Sequence, residues 1–241
     1  MAALRGRRGG AKPWGWAGCG GESSGLARGR HRHGDGGEGV AAFLGWAGPR
    51  FGPAAVTQLT IHHDPAAAPT LLTNDRELIT RELAARGVAL EHWPARASLP
   101  EGAGQAEILA AYAEEIARVQ ADGRYATVDA IRMTPDHPER QALRAKFLAE
   151  HTHSEDEVRF FVEGRGLFCL HIGEEVLQLL CEQNDWIAVP AGTRHWFDMG
   201  PEPSFCALRF FHNSEGWVAQ FTGDPIAEGY PLLDQLAMQA A

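Results

Sequence analysis

The chain has 241 residues, 44% of them hydrophobic, and carries 31 acidic against 22 basic side chains for a formal net charge of −9, so it can bury a substantial core in one large domain or two small ones. The charge is uneven: residues 1–56 hold 16 of the 28 glycines and a net +5, which leaves −14 on the remainder. A body that acidic is a poor partner for nucleic acid or an anionic membrane surface, and no apolar run approaches the roughly 18 residues of a membrane span.

In chain order, residues 1–56 read as a Gly/Arg-rich extension, disordered or non-native, with Trp14, Trp16 and Trp46 at no regular period. His31 and His33 imitate a ligand pair, but their Arg-rich surroundings read as a solvated basic tail. Residues 57–241 read as a single domain made of an N-terminal α+β part (57–148), a β-rich core (149–213) and a C-terminal segment (214–241). Leu59 and Ile61 alternate as in a half-buried strand. Asn74 and Glu77 have capping-box spacing, Leu78, Ile79 and Leu83 form a helical stripe, and Gly87 suits the stop. Val88 to Trp93 resembles a strand, and a second helix is expected from about Gln105 to Gln120, with Ile108, Leu109, Tyr112, Ile116 and Val119 on one side. Another strand over Tyr125 to Met133 leads to a turn in which Asp136 would cap a third helix, with Pro138 in its first turn, ending near Leu148. From Glu157 to about Asn213 six short apolar segments are punctuated by Gly, Asn-Asp or Pro, the pattern of an antiparallel sandwich or barrel. Trp217, Phe221 and Tyr230 then lie along a Gly/Pro-rich stretch before a short helix from about Leu232. Cys19, Cys169, Cys181 and Cys206 form no CxxC pair. They read as buried thiols of a cytosolic protein, with a Cys169 to Cys181 bridge as the alternative.

The chemistry concentrates in residues 151–166, His-Thr-His-Ser-Glu-Asp-Glu-Val-Arg-Phe-Phe-Val-Glu-Gly-Arg-Gly. An extended chain here puts His151, His153, Glu155, Glu157 and Arg159 on one face. Pro190-Ala-Gly-Thr-Arg-His195 supplies a third imidazole after a Pro/Gly turn. Three histidines and one carboxylate, Glu155 or Glu157, leave two positions of an octahedron open, which suits Fe(II), Ni(II) or Mn(II) better than closed structural zinc. Arg159 shares the ligand parity and Arg209 lies in the apolar run Phe205 to Phe211; an inward arginine calls for an anionic substrate or a carboxylate partner. Phe147, four residues before His151, and Phe197, on the face of His195, are candidates for an apolar wall.

His-x-His-x3-Glu with Gly164, followed by Pro-x-Gly-x2-His, resembles the two motifs of the cupin superfamily, and that resemblance selects Glu157 over Glu155. Two departures are Asn184, where a Gly is usual, and Met199, where an Asn is usual. Over residues 57 to 235 the chain looks like the bacterial acireductone dioxygenases. This rests on the 151–164 stretch, on Val189-Pro-Ala-Gly-Thr-Arg-His-Trp-Phe-Asp-Met-Gly and on Arg209-Phe-Phe-His-Asn-Ser-Glu-Gly-Trp-Val-Ala-Gln-Phe-Thr-Gly. The resemblance implies a cupin double-stranded β-helix, a jelly-roll barrel with flanking helices. It implies His151, His153, Glu157 and His195 as ligands of one Fe(II) or Ni(II) per chain, Arg159 facing the substrate enediolate, and Phe147, Phe197 and Arg209 in the pocket. The implied partners are an anionic acireductone and O2, acting on a monomeric cytoplasmic enzyme of methionine salvage. A cupin sugar-phosphate isomerase and a non-catalytic metal-binding cupin are the other readings, and Arg159 speaks against both.

Overall fold

The computed structural model describes residues 56–213 and 218–239, the side chains of 237–239 excepted. The 1–56 extension, apart from Val56, and Trp217 lie outside the described residues.

Two antiparallel sheets face each other and share their longest strand. The first runs β1 (Gln58–His62), β2 (Leu71–Thr73), β5 (His151–Thr152), β6 (Glu157–Ile172), β7 (Glu175–Glu182), β9 (Arg194–Asp198) and β11 (Gln220–Phe221), in the spatial order β11-β5-β9-β6-β7-β1-β2. The second contains β3 (Ala89–His92), β8 (Asp185–Val189), the first half of β6, β10 (Phe205–Phe211) and β4 (Thr127–Met133), in the order β3-β8-β6-β10-β4. This is the jelly-roll barrel expected of a cupin.

The two apolar segments expected at Val158 to Glu163 and Leu167 to Ile172 are one strand. It changes sheet at a glycine corner, pairing with β8 and β10 before the corner and with β7 and β9 after it. Gly164 has φ +64°, and a Cβ there would lie 1.8 Å from the carbonyl oxygen of Ser204; a Cβ on Gly166 would lie 2.2 Å from Cζ of Phe197. Only glycine lets the strand bend this tightly against its neighbours.

Alternation sorts the side chains into three apolar layers. Inside the barrel are Ile61, Phe161, Phe168, Leu177, Ile187 and Phe205 among others, and buried Met199 belongs there too, filling core space where a cupin usually has Asn. The outer face of the second sheet, with Val158, Phe160, Leu208 and Phe210, is covered by α2 (Gln105–Ala111) and α3 (Ala113–Gln120) through Ile108, Tyr112 and Val119. The outer face of the first sheet is covered by the C-terminal segment, whose Ala227, Tyr230 and Leu233 pack on Leu167, Val176 and Trp196.

Several local expectations shift. The expected helix over residues 105–120 breaks at Tyr112 (φ −115°, ψ 26°), which points its buried ring at Phe160 and so gives up helical dihedrals for packing. Helix α1 (Arg76–Ala84) is capped by Asp75, which accepts from the Glu77 and Leu78 N–H groups, rather than by Asn74, whose side chain accepts from Gln58. Asp136 accepts from the Thr134 hydroxyl and does not cap α4 (Arg140–Phe147), which begins later than expected. Asn184 takes φ +82° as a Gly would, and its side-chain carbonyl accepts from the Ala95 N–H. Cys169, Cys181 and Cys206 are buried thiols, so the bridge between the first two is not formed.

Candidate metal centre

His151 and His195 are direct cross-strand partners on β5 and β9, and therefore point to the same inner face. The chain leaves β5 after Thr152, so the extended stretch expected through residue 159 is interrupted. His153 still turns inward, because its carbonyl accepts from the Gly192 N–H (2.8 Å) while Asp156 accepts from the Ala191 N–H (3.0 Å). These bonds clamp the two histidine motifs together. Glu157 opens β6 on the same inner face.

All four residues are buried, and one ligand atom from each lies within 4.8 Å of every other. Glu155 turns the other way, accepting from the His212 N–H and the Asn213 side chain, so the structure brings Glu157 and not its rival into the cluster. Nδ1 of His151 lies 2.7 Å from the Ala149 carbonyl and Nδ1 of His195 lies 2.8 Å from the Thr193 carbonyl. A carbonyl can only accept, so each Nδ1 carries the proton and each Nε2 presents a lone pair. Burial, helped by the neighbouring His195, pulls the His151 pKa down to about 4 and keeps that ring neutral near pH 7. Neutral Nε2 donors around an ionised carboxylate are the donor set a divalent transition metal takes, and these residues fit one.

Glu157 divides its two oxygens. Oε2 lies 3.0 and 3.1 Å from Nε2 of His195 and His153, while Oε1 lies 2.7 Å from Nη2 of Arg159. Burial alone would raise this carboxyl, but the Arg159 guanidinium beside it outweighs that and holds the pKa well below the usual range. Burial lowers the Arg159 pKa in turn, opposed by Glu157. Arg159 also lies over two rings, 4.6 Å from the Phe197 centroid and 5.1 Å from that of Phe168. Phe197 is buried, and the partly buried Phe147 packs on the same inner cluster. Arg209 is the direct cross-strand partner of both Arg159 and Asp129, and it binds Asp129 through two bonds of 2.8 and 2.6 Å. Its charge thus has a carboxylate partner inside the barrel.

Two buried carboxylates that sequence reasoning passed over hold this arrangement. Asp198 accepts from Arg144 Nε and Nη2 (2.6 and 2.9 Å) and from the backbone N–H groups of Gly200 and Leu233, tying α4, which carries Phe147, to β9, which carries His195 and Phe197. Although burial opposes it, the Arg144 bonds hold the Asp198 pKa below the usual value. Glu150 receives His171 Nδ1 at 2.6 Å and the Thr222 hydroxyl at 2.7 Å. Apart from Gly200 the partners lie 21 to 72 residues away, and no local pattern announces them.

The model of the ARD/ARD′ family matches residues 59–219. A relative named acireductone dioxygenase from Prochlorococcus marinus (strain MIT 9303) is 65% identical over 184 residues, covering 74% of this chain and 100% of the relative. Another of that name, from Parasynechococcus marenigrum (strain WH8102), is 70% identical over 166 residues, covering 69% and 89%. Among solved structures, acireductone dioxygenase from Bacillus anthracis with a cadmium ion in its active centre aligns at a TM-score of 0.60 and 31% identity, covering 70% of this chain and 100% of that one.

Proposed function

The chain belongs to the ARD/ARD′ family, the acireductone dioxygenases, and from that premise we propose that it cleaves 1,2-dihydroxy-5-(methylthio)pent-1-en-3-one with O2. The metal-dependent outcome is formate and 4-methylthio-2-oxobutanoate with Fe(II), or formate, CO and 3-(methylthio)propanoate with Ni(II). The observation that carries this reading is the divided Glu157 carboxylate, one oxygen among the histidines and the other on Arg159.

His151, His153, Glu157 and His195 would hold the metal, which when bound would supply a Lewis acid for the enediolate oxygens. The chain's own residues do the rest. The carbonyls of Ala149 and Thr193 keep the Nδ1 protons of His151 and His195 in place, so each ring turns Nε2 toward the cluster. Arg159 holds Glu157 ionised and sets a fixed positive charge beside the place where the dianionic substrate binds, in a buried site where charge counts for more than in water. Phe197 and Phe168 hold that guanidinium against their faces and exclude water, and Phe147 completes the wall. Arg209, bound to Asp129, sits behind Arg159 and adds to the positive field.

On this reading the protein is a monomeric cytoplasmic enzyme of methionine salvage, with one metal per chain and no nucleic-acid or membrane partner. The acidic net charge speaks against nucleic acid or an anionic membrane surface as a partner, and none of the described helices is long and apolar enough to cross a membrane. The test is to strip the metal, reload with Fe(II) or Ni(II) separately, supply acireductone under oxygen and assay CO. CO from the nickel form alone supports the proposal; equal yields from both forms, or no oxygen consumption by either, would overturn it.

A further inference from the structure

The inward-facing row that contains two of the ligands does not stop at them. Direct cross-strand partners share a face, and across the first sheet the row runs Leu177, Leu170, His195, His151, Phe221. It passes from barrel core through two metal ligands to an aromatic residue on the edge strand β11. The ring centroids of Phe221 and His151 are 5.7 Å apart. The ligands themselves are nearly closed off, His151 being 7% exposed, whereas Phe221 is 49% exposed. Of the four exposed large hydrophobic residues among those described, Val56 precedes β1, Leu72 lies on the opposite edge strand, Val218 precedes β11, and Phe221 lies against a ligand.

The edge strand is held in this position by more than its two-residue ladder. Next to Phe221, the Thr222 N–H donates to the Glu150 carbonyl (3.1 Å) and its hydroxyl donates to the buried Glu150 carboxylate (2.7 Å), which His171 also binds. Phe221 is therefore a fixed phenyl face at the rim of the centre, partly inside and partly wet. A large apolar face held half in water beside a reactive centre loses its solvent contact when an apolar part of a ligand covers it.

We propose that Phe221 is a specificity-determining residue that receives the apolar tail of the substrate, the part farthest from the chelated oxygens. This rests on the acireductone reading. The oxygens are drawn inward by the ligand cluster and Arg159, so the rest of the carbon chain leaves along the row toward the sheet edge. A thioether or alkyl tail meets the ring there, and a sulfur at the ring edge gains a little more.

The test uses metal-loaded enzyme without oxygen, so that binding is read apart from turnover. The enzyme is titrated with two probes, the methylthio acireductone and an acireductone in which a methyl group replaces the whole tail. In F221A the ratio of long-tail to short-tail affinity should fall about five- to tenfold, the scale of one or two methylene-sized contacts. F221L should recover at least half of that ratio, and metal content should match wild type in both variants. A ratio unaltered in F221A, or affinity for both probes lost equally, would overturn the assignment of Phe221 alone. A wild-type enzyme that binds neither probe would sink the acireductone reading and this inference together.

Discussion

Glu157→Gln is nearly isosteric and removes one buried charge, so its effect can be worked from contacts already described. The carboxylate is 2% exposed, lies 2.7 Å from the guanidinium of Arg159, itself 6% exposed, and is held ionised by it. Taking the charge from one side of a buried pair costs about 3–5 kcal/mol, because the other charge stays buried without its counter-ion. For a domain of this size about 1 kcal/mol corresponds to roughly 2–4 °C in Tm, so the metal-free variant should melt roughly 6–20 °C below wild type. The double variant Glu157→Gln/Arg159→Met should regain at least half of that loss, since the second charge has gone as well. Thermal unfolding of chelator-treated protein, followed by circular dichroism near neutral pH, measures both. Metal content after reloading should collapse in Glu157→Gln and persist in Glu155→Gln, whose carboxylate serves His212 and Asn213 instead. A single variant melting within 2 °C of wild type, a double variant no more stable than the single, or equal metal loss from both carboxylate variants would refute this account of the pair.

Arg159→Ala should keep its metal and lose roughly a hundredfold to a thousandfold in turnover, about 2.7–4 kcal/mol, as for a removed preorganised donor; Arg159→Lys should restore only part, lacking the planar fork, and wild-type rates in the alanine variant would rule out the role. Glu182 is half-buried, the guanidinium of Arg165 lies 3.9 Å away, and burial pushes its pKa from 4.5 up to about 7. Its folded pKa exceeds the unfolded one, so the folded state keeps a proton that the unfolded chain gives up, and stability declines as pH rises from about 4.5 to about 7. Glu182→Gln mimics the protonated form and should gain about 1–2 kcal/mol near pH 8, a figure reduced for solvent screening, and little near pH 4; denaturant titrations at both pH values with no difference in gain would contradict this. Removing residues 1–55 should leave Tm and turnover as they are, since the family match begins at residue 59, and a drop of several degrees would show that the segment packs on the barrel.

The clustering of these side chains was legible because strand and turn spacing leave His151, His153 and His195 little freedom, and the alternation of β6 and β9 put Arg159 and Phe197 beside them. Spacing could not separate Glu155 from Glu157, since both share a parity that the chain abandons between His153 and Glu157; hydrogen bonds to His212 and Asn213 decide it. The break at Tyr112 was invisible because both halves of that helix carry one continuous apolar stripe, and it is tertiary contact with Phe160 that favours the kink. The partner of Arg209 was equally hidden, as Asp129 lies 80 residues upstream on a strand whose alternation is weak. Asp198 and Glu150 reveal themselves only when the distant groups they bind are brought alongside.

The central strand also dictates when in the life of the chain the centre can come into being. β6 pairs with four other strands, and β1, near residue 60, finds its partner β7 more than 110 residues later. Closures over such separations come late and put β-rich barrels in the millisecond-to-second range of folding. During synthesis the first two histidines and Glu157 emerge well before His195, and β10, which completes the second sheet around Arg159, emerges later still. A ribosome-bound chain therefore carries unpaired strand edges through most of its length. The four-residue cluster can be complete only once His195 has emerged, and the sheet around Arg159 only once β10 has.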